Sequence, residues 1–282
     1  MNSWGEGAMS SPKFIPIEER VPILVGEGWH GALRRSLEIL LGLPEIRRRV
    51  DQARERVAQG EQGFEAILKV MNVGMDATGV MEAIPREGPL VLAANHPFGG
   101  PEAAVLPVLA TRVRPDVKVL GNNEVMALPD MERWMLPLEI LGGEGAARKN
   151  LGIVKQALVH LRNGGALVTF PAGAVAHWQW KRARVEDPPW PPHTARIVNI
   201  SRAAVLPVRF FGQNGPIFQV LGALHPFLRS ALIPRAFLAM SGRTVRCRAG
   251  KLLNFSELPS DPEEMTGALR TAVEQVFSGD GN

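Results

Sequence analysis

The stretch that decides the fold is "EGPLVLAANHP", residues 87–97. Its five central residues, Leu90 to Ala94, are a continuous apolar run closed by Gly-Pro on one side and Asn-His-Pro on the other. A strand buried on both faces has this form, because a parallel sheet covered by helices offers no wet side for alternation. Similar short runs recur at "VKVLGN" (117–122), "ALVTFPAG" (166–173) and "AAVLPVRFF" (203–211). Between them lie helical patterns at 102–112, at 146–162 with apolar Leu151, Val154, Leu158 and Leu161, and at about 193–203; a last helix is expected around 262–277. Strands alternating with helices predict an α/β domain with a largely parallel central sheet flanked by helices.

Upstream of this domain the pattern is different. Residues 1–29 are rich in Gly, Pro and Ser without sustained periodicity and are expected to form an irregular leader. From Ala32, residues Leu33, Leu37, Leu40 and Leu41 fall on one helical face until Gly42 and Pro44 interrupt it. A more polar helix over about 45–59 and a third from about Gly63 to Met71 follow. The expected division is therefore 1–29 leader, 30–75 helical segment with a candidate membrane-interface face, and 76–282 a domain that carries the chemistry.

Composition bounds the rest. The 282 residues are 45% hydrophobic and 21% charged, the profile of a folded globular chain. The net charge of +4 is small, but the cations are bunched in "RRSLEILLGLPEIRRR" (34–49) and "WKRARVEDPPW" (180–190). Bunched cations attract anionic surfaces such as phosphate or acidic headgroups. Nucleic acid is disfavoured because the tryptophans do not interleave with the basic clusters as stacking platforms, and tyrosine is absent. A single Cys247 excludes an intrachain disulfide, and the scattered His30, His160, His177, His193 and His225 give no metal-ligand spacing. The N-terminus lacks the apolar core of a signal peptide, and no run approaches the ~18 apolar residues of a membrane span. A cytoplasmic protein with at most peripheral membrane contact is expected.

In open α/β sheets ligands bind beyond the carboxyl ends of the strands. Three segments fall there: "NHPFGGPE" (95–102), "GNNE" (121–124) and "FPAG" (170–173). In the first, Pro101 suits the first turn of a helix, which places His96 in the loop before it and Glu102 within it. If that loop folds back, Glu102 fixes the tautomer of His96 and frees the other imidazole nitrogen to act as a general base. Gly99 and Gly100 then permit close approach of a ligand, with their amides aimed at an anion. The alternative is that Glu102 merely complements the helix dipole in a turn that happens to contain a histidine. No G-x-S-x-G elbow, no P-loop and no G-x-G-x-x-G after a strand is present.

The blocks "EAIPREGPLVLAANHPFGGPEAAVL" (82–106), "KVLGNNEVMALPDMERWMLPLE" (118–139), "ARKNLGIVKQALVHLRNGGALVTFPAG" (147–173) and "AAVLPVRFFGQNG" (203–215) resemble, in order, the phospholipid/glycerol acyltransferase superfamily, and within it the hemolysin-like branch. The likeness spans roughly residues 62–250. It implies a glycerol-phosphate acyltransferase-like αβ domain that moves a fatty acyl chain from acyl-ACP or acyl-CoA to a hydroxyl of a lysophospholipid or related lyso-lipid. His96 would be the base and Glu102 its orienting acid, with Asn95, Gly99 and Gly100 on the substrate side. Phe170, Pro171 and Gly173 would lie by the acceptor phosphate or headgroup, and Pro207 would shape the acyl pocket. Arg148, Lys149 and Asn150 match the block that engages phosphate. The thioester is a co-substrate and no cofactor is implied, while the membrane surface is an implied partner at the inner face. Two departures stand out: Glu102 replaces the usual aspartate, and Ala172 and Ala174 stand where the family carries an acid beside the glycine. His177, Lys181 and Arg182 are then the substitute headgroup contacts, and a non-catalytic lipid or acyl-chain binding protein on the same fold is the alternative.

Overall fold

The computed structural model describes residues 29–122, 129–139 and 145–277. The expected leader lies almost wholly outside them, as do Asn123 and Glu124 of the "GNNE" segment.

Three helices come first: α1 (Trp29–Leu40), α2 (Leu43–Ala58) and α3 (Gly63–Val70). Gly42 separates the first two with a left-handed φ of 76° that a side chain rarely adopts, whereas Pro44 belongs to the first turn of α2 rather than ending α1. In α2 and α3 the residues Leu43, Ile46, Ala53, Phe64, Ala66 and Leu68 are buried, and all but Leu43 join one cluster with the strands. The apolar side of α1 is different, since Leu33, Ile39 and Leu40 are exposed.

The domain then runs β1 (Gly74–Asp76), α4 (Val80–Ala83), β2 (Leu90–Ala94), α5 (Pro101–Val113), β3 (Val117–Asn122), a 3-10 turn, β4 (Met135–Leu138), α6 (Ala146–Arg162) and β5 (Ala166–Thr169). A small antiparallel hairpin follows, β6 (His177–Gln179) with β7 (Arg184–Glu186), and then α7 (His193–Ser201) and β8 (Ala204–Phe211). The chain ends with a helical pair, α8 (Pro216–Leu224) and α9 (Pro226–Leu238), then β9 (Thr244–Ala249) and α10 (Pro262–Glu274). Seven strands form one sheet in the order β1-β9-β8-β2-β5-β3-β4. The five from β8 to β4 are mutually parallel, while β9 runs antiparallel to β8 and β1 runs with β9. The α/β fold with a mostly parallel central sheet is thus the one the sequence predicts.

Alternate residues of each strand feed two separate cores. Leu90, Leu92, Leu206, Val208 and Phe210 pack with α2, α3 and α5, whereas Val91, Ala93, Leu167 and Val205 pack with α6, α7 and α10. Each fully buried Leu, Val or Phe contributes ~1.5–3 kcal/mol relative to an exposed one, so the double-sided burial of β2 makes it the most firmly held strand. Cys247 of β9 is buried, and burial pushes its thiol up to about 12. The neighbouring strands β2 and β5 send their following helices to opposite faces, α5 to one and α7 to the other. Their loops therefore part at the carboxyl edge and leave a crevice between them, the position at which α/β sheets bind ligands.

Candidate active site

The crevice is built from the loop of residues 95–100. At the last paired residue of β2, Ala94 faces Val208. Asn95 then continues the ladder with its side chain, Nδ2 donating to the carbonyl of Phe210 at 2.9 Å and Oδ1 accepting from the Phe210 amide at 2.7 Å. The backbone of His96 is held on both sides: its amide donates to Asp187 Oδ1 at 3.1 Å and its carbonyl accepts from the Ala176 amide at 2.8 Å. Gly99 turns with φ 90°, and a Cβ there would lie 2.6 Å from Val175 Cγ2, so only glycine fits.

Pro101 opens α5, and Glu102, in its first turn, folds back under the loop. Its Oε1 accepts from the amides of Phe98 at 2.7 Å and Gly99 at 2.8 Å, and its Oε2 from Gly100 at 3.3 Å. The same Oε1 lies 3.0 Å from Nδ1 of His96. Nδ1 is buried, has no other partner among the described residues, and meets the carboxylate off the line of an ideal hydrogen bond. The two alternatives for Glu102 are therefore not exclusive, since one carboxylate caps the helix and faces the imidazole. Its side chain is wholly buried and that of His96 is 16% exposed.

The electrostatics follow from this packing. Burial lowers the proton affinity of His96, but the charge of Glu102, its side-chain hydrogen bond and the charge of Asp187 outweigh it and leave the imidazole pKa above its ordinary value. Burial raises Glu102, yet His96 and the amides of Gly99 and Phe98 bring it below the usual carboxylate range. Asp187 is raised, by burial above all. With Nδ1 facing the carboxylate, the favoured neutral tautomer keeps its proton on Nδ1 and a lone pair on Nε2, which has no hydrogen-bond partner among the described residues. The ring of Phe170 lies against it, centroids 4.7 Å apart at 34°.

Of the residues singled out from sequence, the structure brings together Asn95, His96, Gly99, Gly100, Glu102 and Phe170, with Pro171 and Gly173 in the turn closed by the Gly173 amide on the Phe170 carbonyl. Three details differ from expectation. The amides of Gly99 and Gly100 point inward to Glu102 instead of outward to a ligand, and the Asn95 amide is engaged with Phe210. Pro207 is a buried member of β8 opposite Ala93, on the face of the sheet away from Phe98, with its carbonyl taken by Gly250. Arg148 and Lys149 start α6 after β4, three strands from β2 and so roughly 14 Å away at ~4.8 Å per strand. Lys149 there pairs with Glu139 at 3.6 Å, and Asn150 braces the Glu139 backbone. Among the substitutes, Arg182 pairs with Glu186 and Lys181 is exposed.

Sequence reading missed two supports of the loop. Asp187, buried in "EDPPW", also accepts from Trp190 Nε1 at 3.0 Å, and Asn214 Nδ2 donates to the Phe98 carbonyl at 3.0 Å. The one available signal was the position of that acid in a Pro-rich loop beyond a strand end.

Fold and loop together define an α/β protein with a buried histidine–carboxylate pair at the carboxyl rim of a parallel sheet. No family model matches the chain. A lyso-glycine lipid O-acyltransferase of Bacteroides thetaiotaomicron is 26% identical over 161 residues, 56% of this chain and 56% of that protein. The chain thus spans about half the length of the curated relative it matches. Among solved structures, the 1-acyl-sn-glycerophosphate (LPA) acyltransferase PlsC from Thermotoga maritima aligns with a TM-score of 0.48 and 16% identity, over 76% of this chain and 79% of that one. The curated relative supports the resemblance to the phospholipid/glycerol acyltransferase superfamily.

Proposed function

We propose that this protein is an O-acyltransferase that moves a fatty acyl chain from a thioester, acyl-ACP or acyl-CoA, onto a hydroxyl of a lysophospholipid or related lyso-lipid. The observation that carries this reading is the imidazole of His96, with Nδ1 on the buried Glu102 carboxylate and Nε2 turned from it toward the rim. Nε2 takes the proton of the acceptor hydroxyl as its oxygen attacks the thioester carbonyl carbon. The C–S bond breaks, and the departing thiolate recovers that proton from the imidazolium, leaving an ester and a free thiol. Glu102 orients the ring and stabilises its charged form. The five residues between His96 and Glu102 support the hemolysin-like branch. Both donors are cytoplasmic thioesters, so the reading carries a peripheral position at the inner face of the membrane, supported by Leu33, Ile39 and Leu40 exposed on α1 beside Arg35.

The test is transfer of a labelled acyl chain to lyso-lipids in wild type and His96→Ala. Loss of a general base should lower the rate by about two to four orders of magnitude; equal rates would overturn the mechanism. Ala172 and Ala174 favour the second reading, a lipid or acyl-chain binder without turnover, which requires wild type to bind lyso-lipid while transferring to none.

A further inference from the structure

The family's acid beside Gly173 is missing, which leaves open what holds the acceptor headgroup; the inference below rests on the acyltransferase reading. Helix α9 supplies a group that the sequence did not single out. Its residues Arg229, Ile233 and Phe237 are four apart and share one face. Ile233 Cγ1 lies 3.6 Å from the position a Gly99 Cβ would take, and Phe237 packs at 3.0 Å from that of Gly100. This face therefore lies along the His96 loop, with Arg229 one turn, about 5.4 Å, beyond the Gly99 contact.

The second wall is the strand that follows the Phe170 turn. Val175 packs on Gly99, Ala176 donates to the His96 carbonyl, and His177 comes next. Nδ1 of His177 lies 3.0 Å from the Val175 carbonyl, which fixes its proton there. Arg229 Nη1 then lies 3.0 Å from Nε2 of that neutral ring and 3.2 Å from Nδ1. Its remaining contact is a long one, 3.4 Å, to the Gly222 carbonyl. Among the described residues Arg229 faces no carboxylate, and its Nε and Nη2 donors have no partner. A half-buried guanidinium without an anion is unusual, because the loss of hydration is offset only when a counter-charge arrives. Burial accordingly lowers the pKa of Arg229 and, ahead of the repulsion from Arg229, that of His177.

We propose that Arg229, held against His177, is the anchor for an anionic headgroup of the acceptor lyso-lipid, a carboxylate or a phosphate, bound through its two unpartnered donors. Arginine suits both, since its fork meets two oxygens at once.

The experiment measures acyl transfer to three lyso-lipids, one with a terminal carboxylate, one with a phosphate and one with a neutral headgroup, in wild type, Arg229→Gln and Arg229→Lys. Wild type should prefer an anionic acceptor, and Arg229→Gln should lose about 10- to 100-fold of that preference, in acceptor KM, with partial recovery in Arg229→Lys. The anionic acceptor with the larger loss identifies the headgroup. A wild type without preference, or a preference unchanged in Arg229→Gln, overturns the inference. Binding of the same three lyso-lipids to the unaltered protein, read by tryptophan fluorescence, is independent of turnover and of variant folding. If wild type transfers to none, the acyltransferase reading falls, and the anionic-over-neutral binding ratio still decides the role of Arg229: a ratio near one overturns it.

Discussion

At the scale of single residues the site depends on one carboxylate meeting two demands. Glu102 accepts three amides of its own loop and faces the imidazole, so its charge cannot be removed without altering both. The pH dependence follows in sign. His96 acts as a base only when neutral, and its pKa is raised, so the rate should climb with pH through a midpoint above the ordinary 6.5. Glu102→Gln removes the largest opposing charge, and kcat/KM against pH should show that midpoint moved lower, together with a slower plateau from a poorly oriented ring. Stability carries the same signature. The raised His96 contribution is present below pH 6.5 and is lost as pH rises through the folded-state value, while that of Glu102 is present above 4.5 and is lost as pH falls. Denaturation of wild type and Glu102→Gln should therefore differ most in the mildly acidic range between them. An unmoved midpoint would show that Glu102 holds only the loop.

At the scale of elements, the β2–α5 loop is fixed by conformation as much as by hydrogen bonds. Gly99→Ala would force a side chain into φ 90° and against Val175. A cost of about 1–3 kcal/mol is expected in chemical denaturation, with transfer falling along with it because the Glu102 cap is distorted. This loop was legible in the sequence because its residue types are themselves the signal: an apolar strand, Gly-Gly, Pro and an acid at helix-start spacing. The helical elements 146–162 and 101–113 emerged close to their observed ends for a similar reason, periodic apolar faces with Gly or Pro as stops. The elements that escaped lack such signals. Strands β1 and β4 are three and four residues long, too short for a period, and β9 carries arginines at alternate positions, so its buried Val245 and Cys247 are diluted. Likewise Arg229 and Asp187 reach the site only through tertiary packing of α9 and of the loop after β7, which local pattern does not encode. Pro107 makes the same point from within α5: a mid-helix proline costs about 3 kcal/mol, and the buried setting of this helix overrides it.

At the scale of the whole molecule, the edge opposite the site is knotted by a single side chain. Arg114, immediately after α5, is 2% exposed and grips Asp116 with two bonds of 2.7 Å. It also donates to the carbonyls of Pro85, Gly88 and Gly164, joining the segments that enter β2, β3 and β5. Arg114→Ala strands three carbonyls and should cost on the order of 3 kcal/mol in a denaturant titration, while the pH midpoint of any remaining activity stays that of wild type. Helix α5 is therefore pinned at both ends, by the Glu102 cap above and by Arg114 below, over 13 residues or about 20 Å. A catalytic loop anchored in this way has no low-temperature route to coming apart on its own. Heating should find the two losses inseparable: the temperature at which transfer is irreversibly abolished and the temperature at which far-ultraviolet ellipticity collapses should coincide, where a loosely tethered loop would fail many degrees earlier.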